Sequence, residues 1–515
     1  MPAIDVGEAG VRKLLSLVDA KKACGSDRIP PILLKTCADE LAPMLTFIIQ
    51  QSLDTKTVPD DWRKAQVTPV FKKGPRSNPE NYRPVSLTSI CCKINEHIIV
   101  SQTMKHLEQH KILVDHQHGF RRGRSCETQL LITAHDLATT LNNQSQADVA
   151  VLDFAKAFDK VPHQRLIKKL EFYNLDEHAI GWITSFLSGR SQSVVVDGHS
   201  SGESPVLSGV PQGTVMGPLL FLLFINDISA DIDSSIRLFA DDCLIYRDIR
   251  SIRDAELLQQ DLNKVVDWSK KWGMQFNVRK CNILSVTQKH IKNKVGYNYS
   301  MDGQPLETTD STPYLGVTLN QKLQWDDHIN KTIAAANRTL GFLRRTLYKC
   351  PQDLKETVYK TTVRPKLEYC SSIWDPHQQK YTQKIEMVQR RAARFVTNTP
   401  HRRTGPQPSV TAMVNDLGWE TLQDRRQRGR ITLLYKVYNN LVQVPAHYQP
   451  ALHHSDSQME TRSHNQQFQR VDAEVNAYKY AFLPRSIADW NSLPPDVVAA
   501  ESLEEFKTRL AARLQ

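Results

Sequence analysis

Two adjacent acids, Asp241 and Asp242, stand between two short apolar and aromatic runs, Ser235 to Phe239 and Cys243 to Tyr246. Each run suits a buried β-strand, which puts the acids where a hairpin would turn. Aspartate is a poor strand residue, so an Asp pair in this setting is either turn chemistry or a site. A third acid tips the balance. Asp153 closes the apolar run Ala147 to Leu152 and is followed by Phe154-Ala155-Lys156-Ala157-Phe158-Asp159. An acid at the end of one strand and an acid pair on a hairpin can share two divalent ions about 4 Å apart. Hard oxygen ligands, without a His/Cys cluster, favour Mg²⁺ over zinc.

The surrounding segments supply what such a centre needs. Trp62 to Gly74 reads as a strand ending in a basic turn with Lys72 and Lys73, and Asn81 to Leu87 begins a second extended segment, because Arg83 precedes a proline. Two extended segments joined by a basic turn could close over a triphosphate, with Lys and Arg meeting its oxygens, although an ordinary solvated loop has the same composition. His118-Gly119-Phe120-Arg121-Arg122-Gly123-Arg124-Ser125 suits phosphate contacts, and Ser125 can cap the helix that follows. The glycine-punctuated stretch Ser208 to Pro218 enters an apolar helix, Leu219 to Ile225, and would let backbone approach a flat ligand such as a base pair. Together these fit nucleotidyl transfer: a 3′-hydroxyl attacks the α-phosphorus of a triphosphate and pyrophosphate leaves. A hydrolase using Asp153 and Asp241 as general acid and base is a competing reading. The basic turn, the glycine loop and the lack of a sugar-binding aromatic cluster argue against it.

Helices are expected on both sides of this region. Met1 to about Leu53 reads as helical, broken at Gly25-Ser26-Asp27 and Pro30-Pro31. Cys92 to Gln109, His163 to Tyr173, His178 to Leu187 and Ile252 to Trp272 read as helices, Met274 to Val286 as extended chain carrying Lys280. After Tyr314 to Leu319 the pattern is mostly helical, with a basic run at Gln389 to Arg394, a Pro/Gly break at His401 to Ser409 and a loose linker over 445–470.

Composition bounds the setting. The 515 residues carry a net charge of +11, and it is uneven: residues 1–319 hold 37 Lys and Arg against 36 Asp and Glu, residues 320–515 hold 29 against 19. A region with +10 of the charge suits a polyanionic partner, as does a solvated helical surface. No stretch approaches the roughly 20 apolar residues of a membrane span, and Met1 to Gly10 has no apolar signal region. Nine cysteines form no C-x-x-C pair, which points to a reducing, intracellular compartment, nucleus and/or cytoplasm.

The blocks Asn81 to Leu87, Gly119 to Arg121, Asp153 to Asp159, Ser208 to Pro218, Phe239 to Asp242 and Tyr314 to Val317, in this order, resemble the reverse transcriptases of non-LTR (LINE-type) retrotransposons of the jockey and CR1 groups. The resemblance extends over about residues 20–400 and more loosely to the end. It implies an α+β, right-hand polymerase fold: fingers, a palm with an antiparallel sheet and a helical thumb, then a mostly helical C-terminal region. The corresponding divisions are an N-terminal helical extension (1–53), fingers and palm (54–319), thumb (320–400) and a basic C-terminal region (401–515). By the same resemblance Asp153 and Asp241 are the ligands of two Mg²⁺ ions, with Mn²⁺ as a substitute, and Asp242 is the third active-site carboxylate. Phe158 takes the sugar-gate position, Gln212 and Gly213 line the nascent base pair, and Lys72 or Lys73, Arg83 and Arg121 serve the substrate. Lys280 matches a position near the leaving pyrophosphate and acts as general acid, whereas Asp159 is structural. The partners implied are an RNA template, a DNA primer or RNA–DNA hybrid, and dNTPs. No endonuclease block precedes these motifs and no Cys/His knuckle is visible, so the expectation is a chain that copies RNA without cutting its target. A catalytically silent or domesticated nucleic-acid-binding protein would keep the same basic surface.

Overall fold

In the computed structural model, residues 1–399, 408–452 and 466–514 are described. Helices and mixed sheets build two compact units, each assembled from separated parts of the chain. The first contains Met1–Phe120, Leu152–Cys243 and Gln260–Lys280; the second contains Arg121–Val151, Leu244–Gln259 and Cys281–Gln515.

In the first unit, Lys64–Phe71 pairs antiparallel with Tyr82–Leu87, Val70 opposite Arg83, and pairs parallel with Ser191–Val196 on its other side. The short connection between the antiparallel strands holds the basic turn, where the amide of Lys72 donates to the carbonyl of Asn81 at 2.8 Å. Ile90–Gln109, capped by Ser89, packs against Met216–Ile225. The second of these, MGPLLFLLFI, is buried at every position except Pro218. A helix apolar all round has no solvent face to offer and belongs inside a core. His163–Phe172 and Glu177–Leu187 complete the packing, with Trp182 fully buried and its indole N–H donating to Ser52 Oγ at 2.9 Å. Where the sequence suggests extended chain from Met274, the backbone first makes a single 3-10 turn at Val278–Lys280 and becomes a strand only at Asn282–Thr287.

Lys169, 3% exposed, carries a charge into this unit. Its ammonium pairs with Asp227, donates to the carbonyl of Phe224 and lies 3.7 Å from the ring centre of Trp272, with Phe224 and Trp268 also within cation–π reach. Burial nevertheless draws its pKa down to about 8, only partly offset by Asp227.

In the second unit the sheet runs in the order Glu307–Thr308, Asn282–Thr287, Gln146–Leu152, Asp242–Asp248. Gln146–Leu152 pairs antiparallel with Asn282–Thr287, from Gln146 opposite Thr287 to Val151 opposite Asn282. Six of its seven residues are buried, as a central strand covered on both faces requires. Cys126–Asn142 packs in the same core, opened by a capping box between Ser125 and Thr128. Asp326–Thr346 and Gln379–Val396 follow as long amphipathic helices, the latter holding the basic run Gln389 to Arg394. Tyr359–Val363 is a π-helical turn between Gln352–Val358 and Arg364–Glu368.

Most of the Pro/Gly break, residues 401–407, and the middle of the expected linker, 453–465, lie outside the described residues. The ends of that linker are not loose. Tyr448 and Phe468 are buried, Leu452 bridges to Phe468, and the indole N–H of Trp490 donates to the carbonyl of Gln466 at 2.9 Å. Two aromatic anchors gain more from burial than chain freedom offers them.

Lys169 makes a pH prediction. A lysine whose folded pKa lies near 8, below its ordinary 10.5, binds fewer protons when folded across that window. Stability therefore rises with pH between the two values, and the burial cost is fully felt below them. The melting temperature of the parent, relative to Lys169→Met, is expected to increase from pH 7.5 to pH 10; a flat difference would show that Lys169 does not carry this linkage.

Candidate active site

Asp153 follows directly on the Gln146–Leu152 strand. Its carbonyl accepts the Asn277 amide at 2.7 Å, the Ala155 amide donates to the carbonyl of Gln275 at 2.8 Å, and the rings of Phe154 and Phe276 stack at 4.2 Å. This zip delivers Lys280: its amide closes the 3-10 turn onto Asn277, and its ammonium stands 3.3 Å from Asp153 Oδ2. The other two acids come from the turn between Ser235–Phe239 and Asp242–Asp248, whose linking residues are Ala240 and Asp241.

Asp241 and Asp242 both respond to their surroundings. Burial raises the pKa of Asp241, and the negative charge of Asp153 raises it further, while Arg83 and Lys72 pull it back. Partial burial, then the charges of Asp241 and Asp153, push Asp242 up to about 6. Like charges held together in this way form a pocket of negative potential that a hard cation relieves. Among the described residues no group of three or more His, Cys, Asp or Glu side chains is arranged to hold a metal by itself. Mg²⁺ is commonly bound through one or two carboxylates and completes its shell with water and substrate phosphates.

The basic residues divide. Lys72 and Arg83 act electrostatically on Asp241, and both are exposed on the paired strands and their turn. Lys73, next to Lys72 in the chain, is also exposed. Arg121 is half-buried and is the first residue of the second unit.

Phe158 is half-buried, its ring stacked on the buried Phe221 at 4.4 Å and 14° and approached edge-on by Phe120 at 6.2 Å. Two ring contacts fix its orientation. Gln212 is held just as firmly: Nε2 donates to Asp159 Oδ1 at 2.8 Å, and its carbonyl accepts the Ser86 amide at 2.7 Å. Gly213 has φ +99°, and a Cβ there would lie 2.7 Å from the Ser86 carbonyl oxygen. Only glycine fits so close to the Tyr82–Leu87 strand in that conformation. Asp159 thus has the structural role expected of it, as the acceptor that aims Gln212.

Glu96 escapes the sequence reading. It is fully buried in the Ile90–Gln109 helix, and Oε2 accepts the amides of Val215 (2.7 Å) and Met216 (2.8 Å) where the apolar helix begins. Burial holds its carboxyl above the usual range against the pull of those two amides. It therefore pins the downstream end of the loop that presents Gln212 and Gly213. The available signal was an acid sharing the apolar helical face of Cys92 and Ile99. Replacing Glu96 with alanine strands two buried amides and should cost about 3 kcal/mol, read as a lowered unfolding midpoint in urea. Glu96→Gln, which keeps an acceptor oxygen, should lose less than half as much.

Comparison with known proteins agrees with this geometry. Residues 70–319 match the family described as reverse transcriptase (RNA-dependent DNA polymerase). The chain is 28% identical to the RNA-directed DNA polymerase from mobile element jockey of Drosophila melanogaster, over 76% of its own length and 44% of the relative's. It is 28% identical to the probable RNA-directed DNA polymerase from transposon BS of the same fly, over 79% and 46%, and 26% identical to that from transposon X-element, over 77% and 44%. The chain thus spans less than half the length of these relatives. The matched region runs from the basic turn through all three carboxylates, and over about three quarters of its length the chain is similar to RNA-directed DNA polymerases of mobile elements.

Proposed function

We propose that the chain is an RNA-directed DNA polymerase that adds dNTPs to a primer 3′-hydroxyl on an RNA template. The observation that carries this reading is the match of residues 70–319 to the reverse transcriptase family, a region that contains Asp153, Asp241 and Asp242 together with Lys72 and Arg83. Reverse transcriptases generally work with divalent metal ions. Asp153 and Asp241 would hold two Mg²⁺ (or Mn²⁺), which when bound activate the 3′-hydroxyl and offset charge on the triphosphate. Lys72 and Arg83 would bind the phosphate oxygens, with Lys73 close by. Lys280, already beside Asp153, would protonate the leaving pyrophosphate. Phe158 would exclude a ribose 2′-hydroxyl, and Gln212 with Gly213 would lie under the nascent pair. Fingers and palm over 54–319 and a helical thumb over 320–400, preceded by the 1–53 extension and followed by the basic 401–515 region, are the subdomain reading that goes with it. Arg121 would bind phosphate oxygens as well. Among the described residues no helix is long and apolar enough to cross a membrane.

The deciding experiment is extension of a DNA primer on an RNA template by the purified chain with Mg²⁺ and dNTPs. Asp153→Ala and Asp241→Ala should each lose on the order of 1000-fold in rate while still binding the hybrid. Equal activity in parent and variants would remove the metal-site assignment; hybrid binding without extension by any of them would favour a silent nucleic-acid-binding protein. For the gate, Phe158→Val should narrow the preference for dNTP over rNTP by about 10- to 100-fold in single-nucleotide incorporation. An unchanged preference would place the sugar selection elsewhere.

A further inference from the structure

The turn that carries Asp241 is conformationally awkward. Ala240 has φ +55°, a left-handed conformation that an L side chain resists, and it is buried. Such a residue persists only where its surroundings hold it. Its buried backbone polar groups must also find partners.

One side chain supplies both. Gln117 is 2% exposed. Its Oε1 accepts the Ala240 amide at 2.9 Å and the Gly119 amide at 2.7 Å, and its Nε2 lies 3.4 Å from the Ala240 carbonyl. The segment bearing it is fixed in turn by Leu238: the Leu238 amide donates to the His116 carbonyl, and the His118 amide donates to the Leu238 carbonyl, each at 2.9 Å. Gly119 allows the approach, since a Cβ there would stand 2.4 Å from the Ala240 nitrogen. A primary amide is the group for the task, because it accepts at one end and donates at the other.

We propose that Gln117 is a positioning residue for the catalytic turn: by clamping the Ala240 peptide from both sides it aims the Asp241 carboxylate at its metal. This rests on the polymerase reading above, but it also predicts behaviour that does not depend on turnover. The bonds by which Gln117 would do this all go to backbone groups.

The test compares the full-length parent with Gln117→Met, which keeps the volume and removes the clamp, and Gln117→Glu, which keeps an acceptor for both amides. Three quantities are measured on each: Mn²⁺ binding by electron paramagnetic resonance without nucleotide, affinity for an RNA–DNA hybrid, and single-nucleotide incorporation as a function of Mg²⁺. For Gln117→Met, Mn²⁺ binding should weaken at least fivefold and incorporation should fall 10- to 100-fold, partly restored at high Mg²⁺. Hybrid affinity and the KM for dNTP should stay within about threefold, and Gln117→Glu should lie between the two proteins. Parent-like Mn²⁺ binding in folded Gln117→Met overturns the proposal, as does a parallel loss of hybrid and metal binding in both variants, which would mark a general folding role. If the parent binds Mn²⁺ but does not incorporate nucleotide, the polymerase reading fails while the Mn²⁺ comparison still decides the role of Gln117.

Discussion

Repulsion among Asp153, Asp241 and Asp242 is the constraint to which the surrounding structure answers. Carboxylates brought close together tend to separate or to take up protons, and Asp242, pushed up to about 6 first by burial, is raised further by the charges of Asp241 and Asp153. Nothing in the acids themselves keeps them in place. The backbone does it, by zipping residues 153–155 to 275–277 and by holding Ala240 in a conformation alanine does not favour. Lys280 meets part of the charge on one side, and Lys72 and Arg83 on the other. Positional rigidity of this kind is what a polymerase-type centre needs, because its chemistry is mostly alignment and electrostatic stabilisation.

Much of the frame could be read from the chain. Strand and helix periodicity located Lys64–Phe71, Tyr82–Leu87, Gln146–Leu152 and the long helices, and turn chemistry located the hairpin. Ser125 was legible as a cap, and the structure adds the reciprocal bond from Thr128. What escaped were residues whose work depends on partners far away in sequence. Glu96 and Gln117 are ordinary polar letters until the amides of Val215 and Ala240 are beside them. Lys280 was expected on extended chain, but the zip to Asp153 turns the backbone there first. The linker over 445–470 was misjudged at its ends because polar composition outweighed two aromatic residues that reach the core.

The charge excess beyond residue 319 also has a different meaning in three dimensions. Part of it is internal. Asp375 is buried and receives Arg426, Arg430 and Arg485, Arg430 also meets Asp489, Arg425 pairs with Glu368 and Glu420, and Arg428 pairs with Glu420. Buried ion pairs contribute little net stability but are costly to break singly, so these arginines are committed to the second unit's own packing. Arg390 and Arg391 remain exposed on Gln379–Val396 and are better placed to meet a polyanion.

The interleaving of the two units bears on how the protein is made. Gln146–Leu152 is buried and apolar, and its antiparallel partner, Asn282–Thr287, leaves the ribosome much later. At roughly 5–20 residues per second the strand waits on the order of ten seconds with that edge unpaired. A strand left open for so long is a template for association between nascent chains. Synthesis of this protein therefore includes an interval in which the native pairing cannot yet keep that strand from pairing with another copy of itself.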